Sequence, residues 1–293
     1  MVGDVEGLSR CWDFNPSTIS AAVVAARFKS VLLGLRPAPP RVVLKSVGRR
    51  SRWNVFFCYL PNGELSAAHR FTLKRLGTLR GGVLAICAAP SVDHVPRELI
   101  DRCESVCWKG LSGFDFSAFA IALELLAEKS PGCDVFVMND SVLGPFADVD
   151  AMVETGQWRL TGFTASSAFE NHLQSYAWFL RDLTPDIPRK LISVMSSAYS
   201  FNSFQHVVNC QETRFARVAS RFGSVGSLWF GNHASVGDPS LYRALPLLDG
   251  GFPFLKRSLL GGKLKHLHPQ RELEQRLALL GHPPVISVVS DAR

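Results

Sequence analysis

The chain has 293 residues, of which 47% are hydrophobic and 19% charged. That balance excludes a disordered or collagen-like polypeptide and suffices for one large core or two small ones. The net charge of +7 favours an anionic partner such as a nucleotide, a polyanion or a membrane surface, without choosing among them.

Met1 to Glu6 holds no basic run followed by an apolar core, so no secretory signal is expected and the protein reads as cytoplasmic. Asn15-Pro16-Ser17-Thr18 reads as a helix start. Ile19, Val23, Val24, Phe28, Val31, Leu32 and Leu35 then recur at three- and four-residue steps, which predicts an amphipathic helix. Arg27 and Lys29 at its middle exclude a membrane span, and Pro37-Ala38-Pro39-Pro40 stops it. Trp53 to Leu60 is a short aromatic-rich run before Pro61-Asn62-Gly63 and reads as a buried strand. A helix follows from Ser66 to Leu79, ended by Gly81-Gly82. Next come a strand at Val83–Cys87 and a short helix after Pro96 leading into a strand at Ser105–Trp108. A helix at Phe116–Ala127 and a strand at Asp134–Met138 complete this half. Strands alternating with helices at this spacing predict a parallel sheet covered by helices.

The second half is less regular. Trp158–Thr164 and Ser227–Phe230 read as strands. His172–Leu183, Arg189–Ser196, Glu212–Phe222 and Arg271–Leu280 read as helices, the last two ended by Gly223 and Gly281. Beyond Gly250-Gly251 lie Lys256, Arg257, Lys263, Lys265, His266 and His268. With no repeat or linker, the chain reads as one α/β domain over 53–260. Residues 1–52 form a helical N-terminal extension, and 261–293 a basic helical tail. The seven cysteines are odd in number and scattered. No second pair joins Cys103 and Cys107 to complete a zinc site, so all seven read as reduced, mostly buried small hydrophobes.

Five places could carry chemistry. Asn139-Asp140-Ser141 follows a buried strand, where a carboxylate can bind a divalent cation, Mn or Mg, between two phosphates; the same residues are also good turn and cap formers. Gly113-Phe114-Asp115-Phe116 opens a helix. Its glycine lets backbone approach a ligand, and Asp115 can cap the helix or accept from a ribose or base. Glu212, read as opening a helix, can be a surface residue at that terminus or a general base. His172 and Gln174 can hold a sugar or be buried structural groups. Lys256 and Arg257 can fold over a diphosphate or form an exposed basic run. No Walker loop, G-x-G-x-x-G, HExxH or nucleophile elbow is present. The dispersed basic residues match no nucleic-acid module, so no nucleic-acid partner is expected.

Taken in order, these stretches resemble the rhamnan synthesis protein F family of bacterial polysaccharide glycosyltransferases. The glycine–aromatic–Asp–Phe segment is matched by Gly113 to Phe116. The strand ending Asn-Asp-Ser, with Gly-Pro after it, is matched by Asn139 to Ser141 and Gly144-Pro145. Gly-x-Thr is matched by Gly162 to Thr164, and His-Leu-Gln-Ser-Tyr residue for residue by His172 to Tyr176. Glu212 and Pro253 to Arg257 match the later segments. The resemblance spans roughly residues 53–260. Cys58-Tyr59-Leu60 stands where His-Tyr-Asp is usual, Leu111 replaces an Asn and Ser117 a Gly.

The resemblance implies a GT-A-like, Rossmann-type fold and transfer of rhamnose or a related sugar from a nucleotide-diphosphate donor, dTDP-rhamnose by default. The acceptor would be a growing, lipid-linked cell-surface glycan, reached from the inner face of the cytoplasmic membrane, against which the basic C-terminal region would rest. It implies Tyr59 near the base, Asp115 near the nucleoside, Asp140 at the metal or sugar, and Glu212 as base of an inverting transfer. A metal ion or Lys256 and Arg257 would meet the leaving charge. The alternative is a catalytically impaired binding or scaffold subunit of a polysaccharide-assembly complex.

Overall fold

A computed structural model describes residues 3–261 and 264–285; Lys263 of the basic run lies outside them. Strand β1 (Leu8–Asp13) is followed by helix α1 (Ala21–Gly34), β2 (Leu35–Pro37) and β3 (Arg41–Lys45). Then come β4 (Arg52–Tyr59), α2 (Ala67–Leu76), β5 (Gly82–Ala88), α3 (Arg97–Arg102), β6 (Ser105–Lys109), α4 (Phe114–Lys129) and β7 (Cys133–Asn139). The second half holds β8 (Val142–Leu143), α5 (Val149–Thr155), β9 (Leu160–Ser166), β10 (His172–Leu173), β11 (Ala177–Leu183), α6 (Ile187–Leu191) and β12 (Tyr199–Phe201). Helices α7 (Phe204–Val207) and α8 (Thr213–Ala219) precede β13 (Val225–Gly231). The short helices α9 (His233–Val236), α10 (Pro239–Tyr242) and α11 (Ala244–Asp249), then β14 (Leu255–Lys256) and α12 (Gln270–Leu279), finish the chain.

Ten strands form one sheet in the order β1-β13-β9-β11-β7-β4-β5-β6-β3, with β10 added on β9. Strands β4, β5, β6, β7, β9 and β13 run one way; β11 is antiparallel to both its neighbours, and β1, β3 and β10 also run against the rest. The fold is thus the expected α/β class, a sheet with most strands in one direction and helices on both faces. Successive residues of a strand point to opposite faces. In β4, Trp53, Val55 and Phe57 enter the core under α4, while Phe56 and Cys58 enter the core shared with Leu73 and Leu76 of α2, Leu99 of α3 and Met152 of α5. Both faces are covered, which is why β4, β5 and β7 read as unbroken apolar runs. Of the seven cysteines, six are buried, Cys11 is exposed and all are free.

Four expectations are corrected. His172–Leu183 is not a helix: it holds β10 and β11, and β11 lies between β7 and β9. Trp178 and Leu180 fill one core and Ala177 and Phe179 the other, a period of two that burial on both faces hides. The helix around Glu212 begins at Phe204, not at Glu212. Residues Val208–Glu212 form a π turn in which the Thr213 N–H reaches the Val208 carbonyl five residues back, so Glu212 sits inside a continuous helical stretch. The helix read at Arg189–Ser196 is the short α6, started by Pro188 in its first turn. Residues 1–52 are not purely helical, because β1 pairs with β13 and β3 with β6 in the central sheet.

Helix α1 forms nearly where its periodicity predicts, with Ser20 rather than the Asn15–Thr18 stretch as its cap. Its packing is inverted, however: Ser30 and Gly34 are buried and its apolar residues lie outside. Helix α12 of the tail is tied down, since Leu273 and Leu277 join Leu245, Leu248, Leu255 and Leu259 in a third apolar cluster; residues 286–293 lie outside the described residues. No helix among the described residues is long and apolar enough to cross a membrane.

Candidate functional site

The chain steps outward from β4 through β5 and β6, then returns to the other side of β4 with β7. The carboxyl ends of β4 and β7 therefore meet where the strand order reverses, the place at which open α/β sheets bind ligands. The Asp140 N–H donates to the Phe57 carbonyl at 3.0 Å, and the Asp140 Oδ2 accepts the Tyr59 N–H at 2.8 Å. His69 Nε2 stands 3.4 Å from the same oxygen. The Ser66 N–H donates to His69 Nδ1 at 3.1 Å, so that nitrogen holds the lone pair and Nε2 carries the proton toward Asp140. His69 is thereby both a cap for α2 and a partner for the strand-end carboxylate.

Asn139 is similarly engaged. Its Nδ2 donates to Asp115 Oδ2 at 2.8 Å, and its Oδ1 accepts the Ser141 N–H at 3.0 Å and the Ser141 hydroxyl. Gly113 precedes α4 at φ +84°, and a Cβ there would meet Ser200 Cβ at 2.8 Å, so both conformation and space require glycine. The half-buried Asp115 follows in the first turn, its Oδ1 accepting the Phe116 N–H at 3.0 Å. Burial, reinforced by the nearby Glu212 charge, raises its carboxyl to about 6. The loop leading into α4 is organised by Lys109, fully buried at the end of β6. Its Nζ donates to the Ser112 carbonyl at 2.7 Å and the Gly110 carbonyl at 3.1 Å.

Glu212 reaches the same region from its π turn and accepts the Ser175 hydroxyl. Turns of this kind recur at functional sites. Glu212 and Asp238 both act on the buried His172, whose pKa is lowered because desolvation outweighs these two charges. His172 Nδ1–H donates to the Glu170 carbonyl at 2.8 Å, leaving Nε2 with the lone pair of a neutral imidazole. Gln174 does not face solvent. It accepts from the Thr164 hydroxyl and donates to Asp238 Oδ2 at 2.6 Å, while the Tyr176 hydroxyl bonds Thr164. Lys256 Nζ lies 4.3 Å from the Tyr176 ring centre, and strand β14 pairs with β8 so that the Arg257 N–H meets the Ser141 carbonyl at 2.8 Å. Gly144 permits this docking: a Cβ there would come within 2.3 Å of the Pro253 carbonyl oxygen.

The fold thus gathers Tyr59, Gly113, Asp115, Asn139, Asp140, Ser141, His172, Glu212 and Lys256 at the carboxyl edge of the sheet or against it, with Arg257 beside Ser141. Gln174 is brought there too, but as part of an interior network. Among the described residues no three His, Cys, Asp or Glu side chains come together as a ligand group, and Asp140, the carboxylate expected to hold a divalent ion, already accepts from Tyr59 and faces His69 through its Oδ2. Sequence reasoning missed His69, Lys109 and Asp238. The Lys109-Gly110 step after a buried strand was a faint signal for one of them; the other two join the site only through tertiary packing.

No family model matches the chain, and no curated protein matches it. Among solved structures it is similar to 4-diphosphocytidyl-2C-methyl-D-erythritol synthase from Anaerococcus prevotii DSM 20548, at 9% identity over 69% of this chain and 95% of that one, with a TM-score of 0.38. It is also similar to a protein from Desulfovibrio desulfuricans G20 described as a nucleotide-diphospho-sugar transferase, at 12% identity over 78% of this chain and 98% of that one, with a TM-score of 0.36. Similarity at this level does not extend to function. The α/β class stands on the chain's own strand order and burial.

Proposed function

We propose that the protein is a glycosyltransferase that takes a sugar from a nucleotide-diphosphate donor and delivers it to a growing cell-surface polysaccharide. The observation that supports this best is the convergence of Asp115, Asp140, Glu212 and Lys256 at the point where the strand order reverses. Tyr59 would lie along the nucleobase and Asp115 would accept from the nucleoside. Asp140, with Asn139 and Ser141, would shape the floor beneath the diphosphate and sugar. Glu212 would take the acceptor hydroxyl proton as that oxygen attacks the anomeric carbon. The bond from that carbon to the diphosphate breaks, and Lys256 and Arg257 would meet the charge left on the nucleotide. The neutral His172 would orient the acceptor from the side of Glu212.

The motif resemblance supports dTDP-rhamnose as donor, a lipid-linked glycan as acceptor and inversion at the anomeric carbon. It also supports a place at the inner face of the cytoplasmic membrane. One observation favours the scaffold reading: Asn139, Asp140 and Gln174 are all committed to internal hydrogen bonds. A thermal-shift screen of nucleotide-sugars separates the readings in part, because a ligand that binds only the folded state raises the melting point by mass action. Transfer or donor hydrolysis by the same preparation completes the separation. A donor that stabilises the protein yet is neither transferred nor hydrolysed would favour the scaffold, and no response to any nucleotide-sugar would remove both.

A further inference from the structure

We propose that α1 is a lipid-surface anchor, which lays its apolar side into the headgroup boundary of an anionic bilayer. The packed side of this helix is its small, polar side. A Cβ at Gly34 would sit 2.1 Å from His206 Nδ1, so α1 lies flush on α7. Ser30 Oγ accepts from Asn209 Nδ2 at 3.1 Å, and Arg27 reaches the Asn209 carbonyl at 3.0 Å, Thr213 Oγ1 at 3.1 Å and the Glu170 carboxylate. These bonds leave the apolar side outward. Val24 is 54% exposed, Phe28 72%, Val31 43% and Leu32 72%, with Leu35 at 44% just beyond the helix. Steps of three and four place them in one stripe. Phe204, at the start of α7, is 68% exposed.

The charge distribution selects the occupant. Residues 14–63 contain eight Lys and Arg (Arg27, Lys29, Arg36, Arg41, Lys45, Arg49, Arg50, Arg52) and no Asp or Glu. The remainder therefore holds 32 − 8 = 24 cations against 25 anions, so this stretch carries +8 and the rest of the chain −1. Arg27, Arg41, Arg50 and Arg52 are neutralised by Glu170, Glu124, Glu104 and Asp150. Lys29 on α1 and Arg36 just after it are exposed. An exposed apolar stripe rimmed by cations is what an anionic lipid surface takes: side chains enter the acyl boundary and the cations meet phosphates. At 14 residues, α1 is too short to span and would lie in the plane. The anchoring does not depend on which reaction the sheet edge carries.

Sedimentation of the full chain with phosphatidylcholine vesicles, with and without phosphatidylglycerol, tests the anchor. The protein should bind the anionic vesicles at low salt and not the neutral ones. Phe28→Ser/Leu32→Ser should weaken binding at least about tenfold, from the lost apolar burial. Lys29→Glu/Arg36→Glu should weaken it by more than about fivefold for each cation removed. Leu279→Ser, which alters an exposed leucine on α12, should bind as the parent does. Circular dichroism melts check that each variant is folded. Failure of the parent to bind anionic vesicles, or binding unchanged in folded forms of both double variants, overturns the anchor. So does sedimentation equilibrium showing a dimer that Phe28→Ser/Leu32→Ser converts to a monomer, since the stripe would then be an interface between copies.

Discussion

The Asp140 carboxylate accepts the backbone N–H of Tyr59 at 2.8 Å and so splices the end of β7 to the end of β4. Removing it leaves a strand-end N–H without its acceptor, at a typical cost of about 1–3 kcal/mol. Asp140→Ala should therefore lower the urea midpoint without changing the slope, whereas Asp140→Asn, which keeps a carbonyl oxygen, should recover most of the loss. Calorimetry on the same variants tests the proposed ligand role. If Asp140→Ala leaves nucleotide-sugar affinity unchanged, Asp140 is a splice and nothing more.

Glu212→Gln keeps an oxygen for the Ser175 hydroxyl but cannot accept a proton. If Glu212 is the base, turnover should fall about a hundredfold or more while the melting temperature and donor affinity stay close to the parent's. Retention of more than roughly a tenth of the parental rate would move the base elsewhere, and the neutral His172 would be the next residue to test.

Asp115 carries the clearest pH signature of the site. Its carboxyl is raised from 3.8 to about 6 by burial first and by the Glu212 charge second. A raised carboxyl binds its proton more tightly in the folded protein, so this contribution to stability is complete below about pH 4 and is lost as pH rises through about 6. Carbon-13 NMR of the Asp115 side chain should show a midpoint near 6. Glu212→Gln should lower that midpoint; an unmoved midpoint would mean the two carboxylates do not sense each other.

Gly144→Ala would drive a Cβ to within 2.3 Å of the Pro253 carbonyl, at a backbone φ of +123° that side chains rarely adopt. We expect a loss of roughly 2 kcal/mol or more, read by denaturant titration. Detachment of the segment carrying Lys256 should also make a protease cut near Pro253 that the parent resists.

Much of this was legible in the chain. Strands β4, β5 and β7 are apolar runs bounded by proline and glycine, and α2 and α4 announce themselves through Ser66 and Gly113. Strand β11 was not, because Trp178 and Phe179 are both buried on opposite faces and no polar alternation marks the period. The extent of the helix around Glu212 was hidden by the polar π turn Val208–Glu212, which interrupts the apolar rhythm. The residues of the candidate site named by motif do lie at one sheet edge. The flanks of His69 and Asp238 mark them only as local caps, bonded to Ser66 and Ser240; their approach to Asp140 and Gln174 comes from packing between elements far apart in sequence.

Strand β1 has a further consequence. Leu8 pairs opposite Gly231 and Asp13 opposite Gly226, so a short segment near one end of the polypeptide closes the rim of a strand laid down more than two hundred positions later. Such a distant pairing is among the costliest loops to close, which makes β1 a late arrival in folding. Until it arrives, β13 presents Val225 to Gly231 as a bare row of amides and carbonyls, with Leu228 and Trp229 among them, open to strands of other molecules. Beginning the polypeptide after Asp13 would make that exposure permanent, and the expected result is a protein that still forms its central sheet but aggregates through it.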